Sequence, residues 1–268
     1  MPIASVEGIC NMALGYAGVR ARINSIEENT QAAQACKVYY DQYRSDLLND
    51  YRWPFATRRR DLQPFTGSAW SSAQNYNLGD TAAFGATIYR SLQAANLNNQ
   101  PNLAPAFWAQ VTRDGWGFAC SLPDNFVDEH YVYNKPVISS TQTISTILQN
   151  PSMAFPIRAP REDQRVPFAV EDANDGTGNQ ILLTDAITPT LVYTANITNP
   201  QSFSGPFVKA LAYRLAPALI KALRADVKAA EVAKKEAQME VAESIATEER
   251  GIREDPEPHS EFEAARES

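Results

Sequence analysis

The chain has 268 residues, 44% of them hydrophobic, 21% charged and 10% aromatic, and a formal net charge of −7. This is enough chain for one large domain or two small ones with a real core. It excludes a disordered tail protein, a collagen-like fibre and a disulfide-stapled peptide.

No stretch of about 18 apolar residues is present to span a membrane as a helix. Residues 1–7 show no basic region ahead of an apolar core, so no signal peptide is read and the mature chain is expected to begin at Met1. The three cysteines, Cys10, Cys36 and Cys120, are odd in number and spaced too widely for a metal knuckle. Cys10 and Cys36 fall among apolar helix positions, where reduced, buried thiols are expected, as in a reducing cytosol. The charge is uneven. From residue 240 to the end ten acidic residues face three basic ones, which leaves the first 239 residues balanced. Such a body lacks the basic footprint of a general nucleic-acid binder, and the acidic end reads as a solvated extension.

In chain order, residues 1–52 read as two helices. Ile3, Val6, Cys10, Ala13, Leu14 and Ala17 recur at helical spacing, with Gly18 as the stop. A polar connector over 20–29 leads to a second helix capped by Thr30. Its face is Ala32, Cys36, Tyr40, Tyr43, Leu47 and Tyr51, widened by Tyr39 and Leu48, so partners are expected on more than one side. Trp53-Pro54 ends it, because the residue before proline is pushed out of the helical region.

Over 56–204 prolines are frequent, and Val, Ile, Thr and Tyr gather in short runs. Strands are predicted over 130–139, 141–148, 180–184 and 190–194. A hairpin turn is predicted at Gly176-Thr177-Gly178-Asn179. After Gly205-Pro206 the helical period returns in Phe207, Leu211, Leu215, Leu219, Leu223 and Val227. Pro217 is expected to kink or divide that helix. Residues 228–250 favour a long, largely exposed helix closed by Gly251. Its stripe of Ala230, Ala233, Ala237 and Val241 is thin, which suggests packing against a neighbouring subunit. The expected fold is α+β: a discontinuous helical bundle from 1–55 and 205–250, a β-rich insertion over 56–204, and a loose acidic tail over 251–268.

The chemistry-bearing residues are few. His130 and His259 are the only histidines, and no zinc spacing, P-loop or dinucleotide glycine pattern occurs. Asp172-Ala173-Asn174-Asp175-Gly176 reads as a polar turn, since the glycine is one place early for a calcium loop and the closing glutamate is missing. No catalytic residue, cofactor or metal ligand is assigned. The one basic cluster is Arg58-Arg59-Arg60. It reads as a strand whose arginines pair with acidic neighbours or, alternatively, as a contact for an acidic partner or a DNA phosphate.

Several pieces, in this order, carry a resemblance. They are Tyr43-Arg44-Ser45-Asp46-Leu47-Leu48, Trp53-Pro54-Phe55-Ala56, Arg58 onward to Leu62, and Phe118-Ala119-Cys120-Ser121-Leu122-Pro123-Asp124-Asn125-Phe126. Leu191-Val192-Tyr193-Thr194, Asn199-Pro200, Phe203 and the run from Phe207 to Leu215 complete the set. Together they resemble the head-to-tail adaptor (tail tubular protein A-like) family of tailed bacteriophages. Within the insertion, Trp70, Tyr76, Gly79-Asp80, Tyr89, Pro101 and Trp108 resemble a chitin-binding-type carbohydrate-binding module over 70–111. Ala86 stands there where that family has glycine.

The adaptor resemblance implies a non-enzymatic virion protein of the neck, assembled in the host cytoplasm. It implies a ring of itself, commonly of twelve subunits, that contacts the portal protein, the tail nozzle or tail tube protein and tail fibres. Double-stranded DNA would pass through it, and no membrane is involved. Phe207, Leu211, Leu215 and Leu219 would form the helical packing face. The module resemblance implies that Trp70, Tyr76, Tyr89 and Trp108 meet a glycan or fibre. From it follows the alternative of a carbohydrate-binding tail or baseplate component that recognises the host surface. A polysaccharide-degrading enzyme carrying such a module is a third reading.

Overall fold

The computed structural model describes residues 5–134, 165–175 and 178–251. The fold is mixed α and β and divides into two units. One joins residues 1–57 to 196–268; the other is 58–195. Residues 196–204, read above as part of the insertion, therefore group with the helices.

In the helical unit, α1 (Val6–Tyr16) is capped by Ser5, whose Oγ accepts from Gly8 N at 3.0 Å. Gly18, at φ +65°, takes the left-handed conformation that closes the helix, and the Val19 N–H returns to the Leu14 carbonyl at 2.9 Å. Asn11 then holds the connector with both ends of its amide. Nδ2 donates to the Ile23 carbonyl at 2.8 Å, and Oδ1 accepts from Ile23 N at 2.9 Å. Helix α2 (Gln31–Asp50) starts at Thr30, whose Oγ1 accepts from Ala33 N. It stops one residue short of Tyr51, and a single 3-10 turn, Pro54–Ala56, follows Trp53.

Helix α3 (Gly205–Arg224) begins at a Ser204 cap with Pro206 in its first turn. Most of its apolar positions are buried, while Lys209, Lys221 and Arg224 lie at the surface. It is not divided at Pro217, which lies inside it. The chain turns instead at Ala225 (φ +51°) and Asp226, whose carboxylate accepts from Ala229 N to start α4 (Val227–Gly251). Val227, read as the end of the α3 stripe, is 64% exposed. In the stripe of α4, Ala230 and Ala237 are buried, with α4 laid back along α3 of its own chain. A short alanine seam suffices because small residues allow close helix approach. Ala230 joins the same core as α1, α2 and α3.

In the β unit, one sheet has the order β1 (Thr57–Asp61), β13 (Pro189–Ala195), β9 (Phe126–Asn134), β10 (Arg165–Val166). Strand β13 is buried on both faces. A second sheet orders β11 (Phe168–Asp172), β12 (Gln180–Thr184) and β8 (Phe118–Ser121). Residues 68–110 hold two smaller sheets. The first is β2 (Ser68–Ala69), β4 (Thr81–Phe84), β5 (Thr87–Ser91), β7 (Trp108–Gln110), and the second is β3 (Asn75–Tyr76) with β6 (Asn96–Leu97).

The strand expected over 180–184 is β12. That over 190–194 is extended by a residue at each end, and that over 130–139 begins earlier, at Phe126. The segments 135–139 and 141–148, Gly176, Thr177 and the tail over 252–268 with His259 lie outside the described residues. β11 and β12 pair antiparallel from Asp172↔Gln180 to Phe168↔Thr184.

Candidate functional site

Arg58, Arg59 and Arg60 all lie exposed on β1, an edge strand. Alternation puts Arg58 and Arg60 on one face, with Arg59 and Asp61 on the other. Asp61 is engaged: its Oδ1 accepts from the Thr190 hydroxyl at 2.8 Å, and Leu62 N donates to the Pro189 carbonyl at 2.8 Å. Arg60 and Arg58 act on Tyr193 of β13. Burial pushes the Tyr193 phenol up, and the two positive charges oppose that shift. The phenol donates to Asn125 Oδ1 at 2.9 Å, and its ring stacks on Phe126 with centroids 6.0 Å apart. Among the described residues neither Arg59 nor Arg60 forms an ion pair, so the expected pairing with acidic neighbours is corrected for these two. An edge strand carrying solvated guanidinium groups suits a carboxylate or phosphate of a partner.

The aromatic set of residues 70–111 is divided by the structure. Tyr76 and Trp108 are 1% and 3% exposed and meet edge to face at 5.0 Å, with Ala82 beside them. The Trp108 Nε1–H donates to the Asn99 carbonyl at 2.8 Å, and the Tyr76 hydroxyl accepts from Ser71 N at 2.9 Å. Rings so enclosed offer no face to a sugar, which corrects their assignment as glycan or fibre contacts. Trp70 and Tyr89 are half-buried against that same small core, and Trp70 meets Phe84 edge to face. Arg90 of this segment donates from Nη1 to Asp175 Oδ2 at 3.2 Å, and Arg113, just beyond it, from Nη2 to the Asp172 carbonyl of β11 at 3.1 Å. Asp172 also accepts from Asn174 N. Within the acidic run, Asp172 and Asp175 thus hold the neighbouring arginines.

Phe207, Leu211, Leu215 and Leu219 are each fully buried within the helical unit. Phe207 is the hub of an aromatic cluster, edge to face with Trp53 at 5.0 Å, Phe55 at 4.9 Å and Phe203 at 4.8 Å. The Trp53 Nε1–H donates to the Leu47 carbonyl at 2.8 Å. Two contacts escaped the sequence reading. Arg44, buried on α2, donates from Nη1 to Asn196 Oδ1 at 2.6 Å and to the Ile197 carbonyl at 2.8 Å. Tyr16 and Tyr213 stack at 3.9 Å. Neither carries a local signal, since a helical arginine or tyrosine usually reads as solvent-facing.

His130 Nε2 lies 2.8 Å from Thr194 Oγ1, a base–hydroxyl pair in form. Thr194 is 1% exposed, so that hydroxyl is closed to a substrate. Among the described residues no cluster of His, Cys, Asp or Glu could hold a metal ion, and no helix is long and apolar enough to cross a membrane. A shallow depression of about 470 Å³ on α1 is lined by Gly8, Asn11, Met12, Gly15, Tyr16 and Arg22. It contains neither a nucleophile nor a carboxylate. No protein-family model and no curated protein matches the chain.

Proposed function

We propose that this chain is a structural protein of a tailed-bacteriophage virion, the head-to-tail adaptor. Its subunits form a ring, commonly of twelve, joined to the portal protein on one side and to the tail nozzle or tube on the other. The observation that carries this reading is the Trp53–Phe55–Phe203–Phe207 cluster. Trp53-Pro54-Phe55-Ala56 and the Phe203–Phe207 segment are separate pieces of the adaptor resemblance, about 150 residues apart, and they meet in one core.

In this reading the discontinuous helical bundle is the ring-forming frame, and residues 70–111 are a carbohydrate-binding-module-like unit used for attachment. A charge-balanced body lets DNA pass without the retention that a basic lining would impose. Arg58, Arg59 and Arg60 meet an acidic surface of a partner or DNA phosphate. The role is non-enzymatic and needs no cofactor. Electron microscopy of purified particles labelled on this chain tests the reading. Density at the neck, between capsid and tail, is expected. Label found only at fibre tips would overturn it in favour of a host-surface binder.

A further inference from the structure

The stacked tyrosines of the helical unit have no part in that role. Tyr16 is the last residue of α1, and Tyr213 lies inside α3. Their ring centroids stand 3.9 Å apart, with the planes at 20° to one another. At that separation, carbons of one ring are in van der Waals contact with carbons of the other. Two further tyrosine pairs are wider and tilted, Tyr39–Tyr43 at 6.2 Å and Tyr131–Tyr133 at 6.4 Å. Tyr16 is 41% exposed and Tyr213 half-buried, so a small solute reaches the pair without any opening of the fold. The helices that carry them share one core, which holds the two rings face to face.

We propose that Tyr16 and Tyr213 are an oxidation site that couples to dityrosine, stapling α1 to α3, when the folded chain meets a one-electron oxidant. Two equivalents of oxidant are consumed, each reduced by one electron. Each phenol gives up that electron and passes its O–H proton to solvent, leaving a tyrosyl radical. The unpaired electron is shared with the ring carbons beside the C–O carbon. One such carbon from each ring joins, forming a C–C bond. The hydrogen on each joined carbon then moves to its own ring's oxygen, which restores both phenols. The chain loses two electrons and two protons. Joining requires the rings to slide from face to face to edge to edge, and the exposed Tyr16 at its helix end has room for that. The bond closes a long loop of chain, so it restricts the unfolded state, and thiols do not reverse it. The inference is independent of the virion role.

The test uses the full chain, folded and dilute, illuminated briefly with tris(bipyridine)ruthenium(II) and persulfate, which generate ruthenium(III) as the oxidant. Dityrosine fluorescence is expected in the single-chain band of a denaturing gel. Digestion should release one dominant linked peptide pair, joining Tyr16 to Tyr213 and lighter by two hydrogens than its parts. The melting temperature of the linked chain should rise by about 5–10 °C. Tyr213→Phe and, at the exposed partner, Tyr16→Phe should each lose at least nine-tenths of the single-chain fluorescence, while Tyr39→Phe keeps it. Circular dichroism confirms that each variant is folded. Single-chain dityrosine of equal yield in Tyr16→Phe would overturn the proposal. So would a dominant link within Tyr39–Tyr43 or Tyr131–Tyr133, links formed only between chains, or no dityrosine at all.

Discussion

Arg44 and Asn196 stand 152 positions apart in the chain, yet the Arg44 Nη1 donates to the Asn196 Oδ1 at 2.6 Å. The same nitrogen donates to the next residue's carbonyl, and Nε reaches Asp41 at 3.4 Å. A buried guanidinium thus fixes the returning chain to α2 just where it leaves the β unit. Replacing Arg44 with Met strands two acceptors and should destabilise the helical unit by about 2–4 kcal/mol. Arg44→Lys should recover less than half, because an ammonium lacks the planar fork. Urea denaturation followed by the helical circular dichroism signal measures both.

Trp53 is fully enclosed between α2 and α3, touching Phe207 with its ring and Leu47 with its N–H. Trp53→Ala removes the largest side chain of this core and should cost about 3–5 kcal/mol. Trp53→Phe keeps most of the packing and loses the hydrogen bond, so its cost should be about 1–2 kcal/mol. The two urea midpoints should rank in that order.

Gly67 sits where β2 runs parallel to β4. A Cβ there would lie 2.8 Å from the backbone of Ala82 and Ala83. Backbone cannot swing aside as a side-chain end can, so Gly67→Ala should cost about 1–3 kcal/mol. Gly85, at φ +65° with open space around it, should cost about 1 kcal/mol as alanine. Hydrogen exchange at residues 68–110 should accelerate more in the first variant than in the second.

Burial pushes the Cys120 thiol up from 9.0 to about 12. A thiol held protonated in the folded state contributes stability that is whole below about pH 9 and is lost as pH rises toward 12. Cys120→Ala should flatten the alkaline limb of a stability-against-pH curve measured between those values. In the native chain Cys120 should also resist iodoacetamide at neutral pH, since the thiolate is the nucleophile.

The helices were legible because 3.6-residue spacing and short polar caps are local properties. Thr30 and Gly18 act where the sequence places them. The turn between α3 and α4 was not. It uses Ala225 in a left-handed conformation that glycine normally signals, while Pro217, expected to kink or divide the helix, does not divide it. Strand β12 could be read from its apolar run, but the two-residue strands β2, β3 and β6 are too short to show a period.

Of the candidate site, the basic cluster on β1 was visible as composition. The enclosure of Tyr76 and Trp108 was not, because an aromatic looks the same in sequence whether it forms a core or faces a ligand. The fully buried Leu211 and Leu215 make the same point. A charge placed there would unfold the helical unit itself rather than report on contacts between subunits.

The account stands on residues 1–57 and 196–268 being one cooperative body. Joining these two stretches by a short Gly/Ser linker in place of 58–195 examines that without intermediaries. A single sigmoidal urea transition with a strong helical spectrum, weakened in the same protein bearing Trp53→Ala, is the predicted result. A gradual, non-cooperative loss of helix, indifferent to Trp53, would contradict it.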